Sequence, residues 1–210
     1  MDTSLLKKPA KIYSENARFC GHDPETSYLH TIYDLKQEMD TCNYLEIGSL
    51  FGYSMVHSIL STTPGLSIGI DLFENPDNLH VPINDYSKDI KDRNLSLHTA
   101  TSLVSQCNIN NSHFKFLQGN SRDKTTMEKL LKICNNFDIL YIDGDHSEAG
   151  VLNDFNIFTP LLNKSGYLIL DDHHYGGIHK LVQQIKSNPS YKWIDTPQYG
   201  RRFTGYAQKL

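Results

Sequence analysis

FDILYIDGDHSEAGVLNDFNIFTPLLNKSGYLILDDHHY, residues 137–175, holds two short apolar runs, Asp138-Ile139-Leu140-Tyr141-Ile142 and Tyr167-Leu168-Ile169-Leu170. Each has the length of a strand buried on both faces, and each ends abruptly in acid: Asp143-Gly144-Asp145-His146 and Asp171-Asp172-His173-His174. Between them, apolar residues at 151, 152, 155, 158, 161 and 162 follow helical spacing over Val151 to Leu162, with Asn163, Lys164 and Gly166 as stop signals. A strand, helix, strand unit with a right-handed crossover makes its strands parallel, so Asp143, Asp171 and Asp172 leave the sheet on the same side. Ligands bind at that rim in open parallel sheets. A single Asp there would be an ordinary turn or cap residue. Three converging carboxylates repel one another unless a cation sits among them, and hard oxygen donors favour Mg²⁺, Mn²⁺ or Ca²⁺ over zinc.

Upstream, Asn43-Tyr44-Leu45-Glu46-Ile47-Gly48-Ser49-Leu50-Phe51-Gly52-Tyr53-Ser54 reads as a strand, a glycine turn and the start of a helix carrying Met55, Val56, Ile59 and Leu60. Gly48 and Gly52 let the backbone turn sharply and approach a ligand at the helix N-terminus. Their Gly-x-x-x-Gly spacing is not the Gly-x-Gly-x-x-Gly that a dinucleotide pyrophosphate needs, which argues against NAD. The next apolar run, residues 66–70, ends in Asp71, placed to accept from ribose hydroxyls. Residues 73–99 read as a long loop, and loops of that length in a compact domain are usually functional. A strand at 114–117 empties into Gln118-Gly119-Asn120-Ser121, and a helix follows from Met127 to Ile133.

Downstream, Ile178, Leu181, Val182 and Ile185 mark a helix that stops at Asn188-Pro189. Residues 191–195 and 202–207 form a terminal hairpin, antiparallel to the rest. At the other end, residues 1–22 are polar with little periodicity and read as an arm or lid, and a helix begins at Asp23-Pro24-Glu25 and ends near Asp40.

The 210 residues suit one domain, with residues 1–41 as an N-terminal arm and helix for acceptor binding and 42–210 as the main body. A net charge of -4 with no basic run longer than a pair offers nucleic acid no footprint. Cys20, Cys42, Cys107 and Cys134 form no close pair, which fits a reducing, cytoplasmic compartment. No window is long and apolar enough for a membrane span, so neither membrane nor nucleic acid is expected as a partner.

Taken together, LEIGSLFGYS, the strand ending in Asp71, the Gly-Asn-Ser after the next strand, IDGDHSEAGVLNDF and LILDDHH resemble class I S-adenosylmethionine-dependent methyltransferases over about residues 42–208. The glycine segment is similar to catechol O-methyltransferases. The two acidic segments resemble metal-dependent sugar O-methyltransferases more closely. The resemblance implies an α/β, Rossmann-like, doubly wound and mostly parallel seven-stranded sheet, with helices on both faces and a C-terminal antiparallel hairpin. It implies that Gly48 and Ser49 cradle the methionine part of S-adenosylmethionine, with Ser54 near its carboxylate, Asp71 on the ribose, and Asn120 and Ser121 beside the adenine. Glu46, Gly52, Tyr53 and Asp143 complete the implied cofactor set. Asp143, Asp171 and Asp172 are implied as ligands of Mg²⁺ or a similar ion.

The chemistry agrees with that implication. Methyl transfer from a sulfonium needs an aligned, deprotonated oxygen. A sugar hydroxyl is a poor nucleophile at neutral pH, and a bound cation lowers its pKa. A base takes the remaining proton, and both Asp145 and His146 stand where branches of the family place it. Imidazole is matched to neutral pH, so His146 is preferred over Asp145. His173 and His174 are read as supporting or acceptor contacts, and Tyr13, Tyr28, Tyr86 and Tyr199 as residues able to stack on a sugar. The expected reaction is O-methylation of a sugar hydroxyl, such as that of a deoxyhexose like rhamnose in a glycan or glycoside. The alternatives are a catechol or other phenol acceptor, and a non-catalytic binding domain of the same fold.

Overall fold

The structure, a computed structural model, describes residues 4–16, 27–73 and 95–210. The helix start at Asp23-Pro24-Glu25, Cys20, Tyr86 and most of the 73–99 loop lie outside the described residues.

Seven strands, β1 (Tyr44–Ile47), β2 (Leu66–Asp71), β3 (His113–Gln118), β4 (Phe137–Ile142), β5 (Leu162–Leu170), β6 (Tyr191–Asp195) and β7 (Gly205–Lys209), form one sheet in the order β3-β2-β1-β4-β5-β7-β6. The first five are parallel. β7 runs antiparallel to β5 and β6, so within the terminal hairpin only β7 opposes the sheet direction. The described helices are α1 (Ser4–Asn16), α2 (His30–Gln37), α3 (Tyr53–Leu60), α4 (Leu97–Cys107), α5 (Lys124–Leu131), α6 (Glu148–Phe158) and α7 (Gly176–Ser187). None of them is long and apolar enough to cross a membrane.

Strand alternation builds a core on each face. Tyr44, Ile139, Tyr141 and Ile169 point into one core with Leu6, Tyr13, Ile32, Leu35, Met55, Val56 and Val104 of α1 to α4. Leu45, Ile47, Ile68, Ile70, Leu140, Ile142, Leu168 and Leu170 point into the other with Leu130, Val151, Phe158, Ile178 and Leu181 of α5 to α7. The register is flush: Ile47 pairs with Ile70 and with Ile142, and Ile142 pairs with Leu170. Gly48, Asp71, Asp143 and Asp171 therefore leave the sheet at one level.

Several elements differ from the sequence reading. Residues 4–16, read within a polar arm, form a helix with Leu6 and Tyr13 fully buried. Its apolar stripe, Leu6, Pro9 and Tyr13, is one residue wide per turn and is diluted by lysines and serines. The crossover helix α6 starts earlier than Val151, because Ser147 caps it by accepting from Gly150 N at 3.0 Å. It ends at Phe158, and a 3-10 turn over Thr159–Leu161 contains Pro160. Asn163, Lys164 and Gly166, read as stop signals, lie inside β5, where Ser165 has φ 63 and the register to β4 shifts between Phe137 and Ile139. The signals mark a bulge in a strand.

Candidate active site

The β1–α3 turn is built around backbone approach. Gly48 has φ 86, and a Cβ there would stand 2.2 Å from the Asp143 carbonyl oxygen, so only glycine lets the β1 and β4 ends close together. Gly52, at φ 80, caps α3. Leu50 N and Phe73 N donate to the two oxygens of Asp71, both at 2.8 Å. This carboxylate straps the glycine turn to the end of β2. Burial pushes Asp71 up, and those N–H donors oppose the shift. Leu50, Phe73 and Asp172 all have positive φ, 47, 47 and 51, at the carboxyl rim of the sheet. Non-glycine residues held in that region cluster at functional sites.

Glu46 lies behind the turn, fully buried, and accepts from Tyr44 Oη at 2.8 Å and Ser54 Oγ at 2.9 Å. Burial pushes its carboxyl up to about 7 against hydrogen bonds that lower it. Ser49 and Tyr53 are buried beside it, and Tyr53 meets Tyr13 edge to face at 5.0 Å. Tyr13 donates to the Phe51 carbonyl at 2.8 Å, so it belongs to the core and offers no stacking face. At the end of β3, Asn120 Oδ1 accepts from Arg122 N at 2.9 Å, while Ser121 Oγ donates to Asp154 Oδ1 at 2.7 Å. Asp154, a buried acid of α6 three residues after the core residue Val151, was not singled out in the sequence. A charge on an apolar helical stripe is the signal that marks it.

The acidic rim divides its residues. Asp143, His146 and Asp172 present ligand atoms that all lie within 4.8 Å of one another. His146 Nε2 is 3.1 Å from Asp143 Oδ1, and its Nδ1 is 3.7 Å from Asp172 Oδ2. Burial first, then the Asp171 charge, pushes both Asp143 and Asp172 up, and Arg202 opposes this. Asp171 is turned inward and is 2% exposed, accepting from the hydroxyls of Tyr28 and Tyr141. Asp145 also faces elsewhere. It pairs with Arg122 and accepts from Ser147 N at 2.9 Å, and despite partial burial these donors hold it below the usual carboxylate range.

Arg202, from the β6–β7 connection, was not anticipated at the rim. Its Nε is 2.9 Å from Asp172 Oδ1 and its guanidinium lies over the Tyr28 ring. Tyr28 stacks on Phe203 at 5.0 Å, with Tyr199 at its edge, so neither tyrosine stands alone as a platform. His173 is buried: its Nδ1 accepts from Thr204 N at 2.9 Å, its ring packs against Phe203 and Trp193, and burial pushes its pKa down to about 4. His174 is exposed, with Nδ1 3.7 Å from Asp172 Oδ1.

Residues 45–173 match a family described as a methyltransferase domain. The chain belongs to that family. Its fold is that of the class I S-adenosylmethionine-dependent methyltransferases. An uncharacterized protein of Acanthamoeba polyphaga mimivirus is 31% identical over 136 residues, 65% of this chain, which spans about half (53%) of that relative. Among solved structures, the O-methyltransferase from Bacillus cereus in complex with SAH is similar at TM-score 0.59 and 17% identity, over 99% of this chain and 91% of that one. The O-methyltransferase TomG from Streptomyces achromogenes, involved in tomaymycin synthesis and solved with SAM, is similar at TM-score 0.58 and 13% identity, over 98% and 88%. The glycine turn of β1–α3 lies at the carboxyl rim of the sheet, level with the acids of β4 and β5. Beside the turn, the carboxylates of Asp143 and Asp172 have the chemistry of a divalent-cation site, with the His146 imidazole against them.

Proposed function

We propose that this methyltransferase carries a methyl group from S-adenosylmethionine to a sugar hydroxyl with the help of a divalent cation. The observation that supports this reading is the Asp143, His146 and Asp172 cluster, held level with the Gly48 turn by the flush register of β1, β4 and β5. Gly48, Ser49, Gly52, Tyr53 and Ser54 form the wall on which the methionine end rests, with Glu46 behind them. Asp71 meets the ribose, and Asn120 and Ser121 border the adenine. The strapped turn positions the cofactor, so that its methyl and an acceptor oxygen meet without reorganisation.

Asp143 and Asp172 would hold the cation, which supplies a lowered hydroxyl pKa when bound. Asp171, the third implied ligand, is occupied by two tyrosines. His146 accepts the hydroxyl proton, its ring oriented by Asp143, as a general base needs an orienting partner. Asp145, bound to Arg122, is left out of this step. The exposed face next to the cluster carries His174 and Arg202, polar groups that suit hydroxylated acceptors better than the apolar walls a catechol requires.

The test is incubation with labelled S-adenosylmethionine and a panel of rhamnosides, nucleotide sugars and catechols, with EDTA or with added Mg²⁺ or Mn²⁺. Methyl transfer to a sugar that stops in EDTA and returns with metal is the expected result. Transfer to catechols alone replaces the acceptor, and full activity in chelator removes the cation.

A further inference from the structure

Asp171 stands where the resemblance places an ion ligand, yet its carboxylate is already used. Tyr28 Oη donates to Oδ1 at 2.6 Å and Oδ2 at 2.7 Å, Tyr141 Oη donates to Oδ2 at 2.6 Å, and Asp172 N donates to Oδ1 at 2.6 Å. The three hydrogens these groups bring, that of Tyr28 shared between both oxygens, fill most of the roughly four lone-pair sites a carboxylate offers, and Asp171 is not in the group of ligand atoms that Asp143, His146 and Asp172 form. The clasp is buried under Phe203, which stacks on Tyr28 at 5.0 Å, and under Arg202. Its three side chains come from residue 28 ahead of α2, from β4 and from the end of β5.

The next residue depends on this clasp. Asp172 has φ 51, a left-handed conformation, and its N–H is the one bound by Asp171. The Asp172 side chain is the more exposed of the two, while Arg202 Nε also lies 3.9 Å from Asp171 Oδ1. Arg202 takes Oδ1 of Asp172, whose Oδ2 faces His146.

We propose that Asp171 is a positioning residue rather than an ion ligand. Clasped by Tyr28 and Tyr141, it holds the Asp172 backbone in the conformation that brings Asp172 to Asp143 and His146. The inference rests on the cation reading given above. It makes the site complete only when the residue 28 segment, β4, β5 and the terminal hairpin are docked together.

Binding of Mn²⁺ to the full chain with S-adenosylhomocysteine, followed by electron paramagnetic resonance of free Mn²⁺, separates the two roles without recourse to activity. Asp143→Asn and Asp172→Asn are expected to abolish measurable binding. Asp171→Asn, which keeps an acceptor oxygen for the tyrosines, is expected to retain it, weakened by about 10- to 100-fold at most, as for outer partners of metal ligands. Tyr28→Phe carries the decision by its sign. A brace predicts weaker Mn²⁺ binding when the clasp loosens, whereas a ligand predicts tighter or unchanged binding, because the tyrosine competes for its lone pairs. Loss of binding in Asp171→Asn equal to that in Asp172→Asn, or tighter or unchanged binding in Tyr28→Phe, overturns the proposal. Wild-type protein that binds S-adenosylhomocysteine but no Mn²⁺ overturns the cation reading and this inference with it, and leaves the cofactor site standing. Calorimetric affinity for S-adenosylhomocysteine in each variant confirms that it is folded.

Discussion

His146 and Asp145 are neighbours in the chain and serve different partners, which turns the choice of base into a measurable difference. His146→Ala is expected to lower turnover by roughly 10²- to 10⁴-fold, the usual contribution of a general base, with cofactor affinity kept. Asp145→Asn, which loses only a half-exposed pair with Arg122, is expected to stay within about tenfold of wild type. Single-turnover rates with labelled S-adenosylmethionine check both, and a severe Asp145→Asn with a mild His146→Ala would reverse the assignment. Glu46 gives a second expectation at this scale. Its pKa rises from 4.5 to about 7 on folding, so the folded state keeps a proton that the unfolded chain releases. Stability is therefore lost as pH rises from 4.5 to 7, by about 3 kcal/mol, and no further above that. Urea unfolding of wild type and Glu46→Gln at pH 4.5 and 7.5 tests this. The variant should lack that part of the slope, and equal slopes in the two proteins would refute it.

Among the elements, the β1–α3 turn has the least room for change. Gly48→Ala puts a methyl against the Asp143 carbonyl at a left-handed position, a strain of about 1–3 kcal/mol before the two loops part. S-adenosylhomocysteine affinity should drop by about 5- to 100-fold by calorimetry where that strain is relieved by parting the turn, at about 1.4 kcal/mol per tenfold. Unchanged affinity would separate the turn from the cofactor. The glycines, the strand before them and the helix after them were all legible, because a turn of this kind is specified by residues within a dozen positions. The division between Asp171 and Asp172 was not. Adjacent acids look alike in a sequence, and Asp171 faces inward to tyrosines 143 and 30 residues away.

Across the whole molecule, the two chain ends bear on the site. α1 buries Leu6 fully against α3 and α4, so Leu6→Ala should cost about 2–5 kcal/mol in global unfolding, as core truncations do. A lid that opens independently would instead change cofactor affinity and leave the urea midpoint in place. The C-terminal hairpin is tied down through His173, which accepts from Thr204 N and is held neutral by burial, with its pKa lowered from 6.5 to about 4. The unfolded chain takes up a proton first as pH falls, so this contribution is complete above 6.5 and is lost by pH 4, about 3 kcal/mol in all. Trp193, the single tryptophan, lies 5.8 Å from His173 and reports the hairpin by fluorescence. Relative to His173→Phe, the wild-type urea midpoint read from it should fall between pH 6.5 and 4. The window overlaps that of Glu46 with opposite sign, so the single variants are needed to separate the two.

The sequence by itself determined the parallel sheet, the crossover unit and the end of the sheet where the acids gather. Each of these follows from local periodicity, strand length and the handedness of a β-α-β connection, which act within a few dozen residues. Tertiary structure alone decided which acids face outward, that Asp145 pairs with Arg122, and that Arg202 reaches the rim from a connection 30 residues beyond Asp172. The same holds for α1, whose thin apolar stripe becomes a core face only when α3 and α4 are present to cover it. The physical reason is common to these cases. The direction of a side chain at the end of a strand depends on the partners it meets, and those partners come from parts of the chain that no local pattern connects.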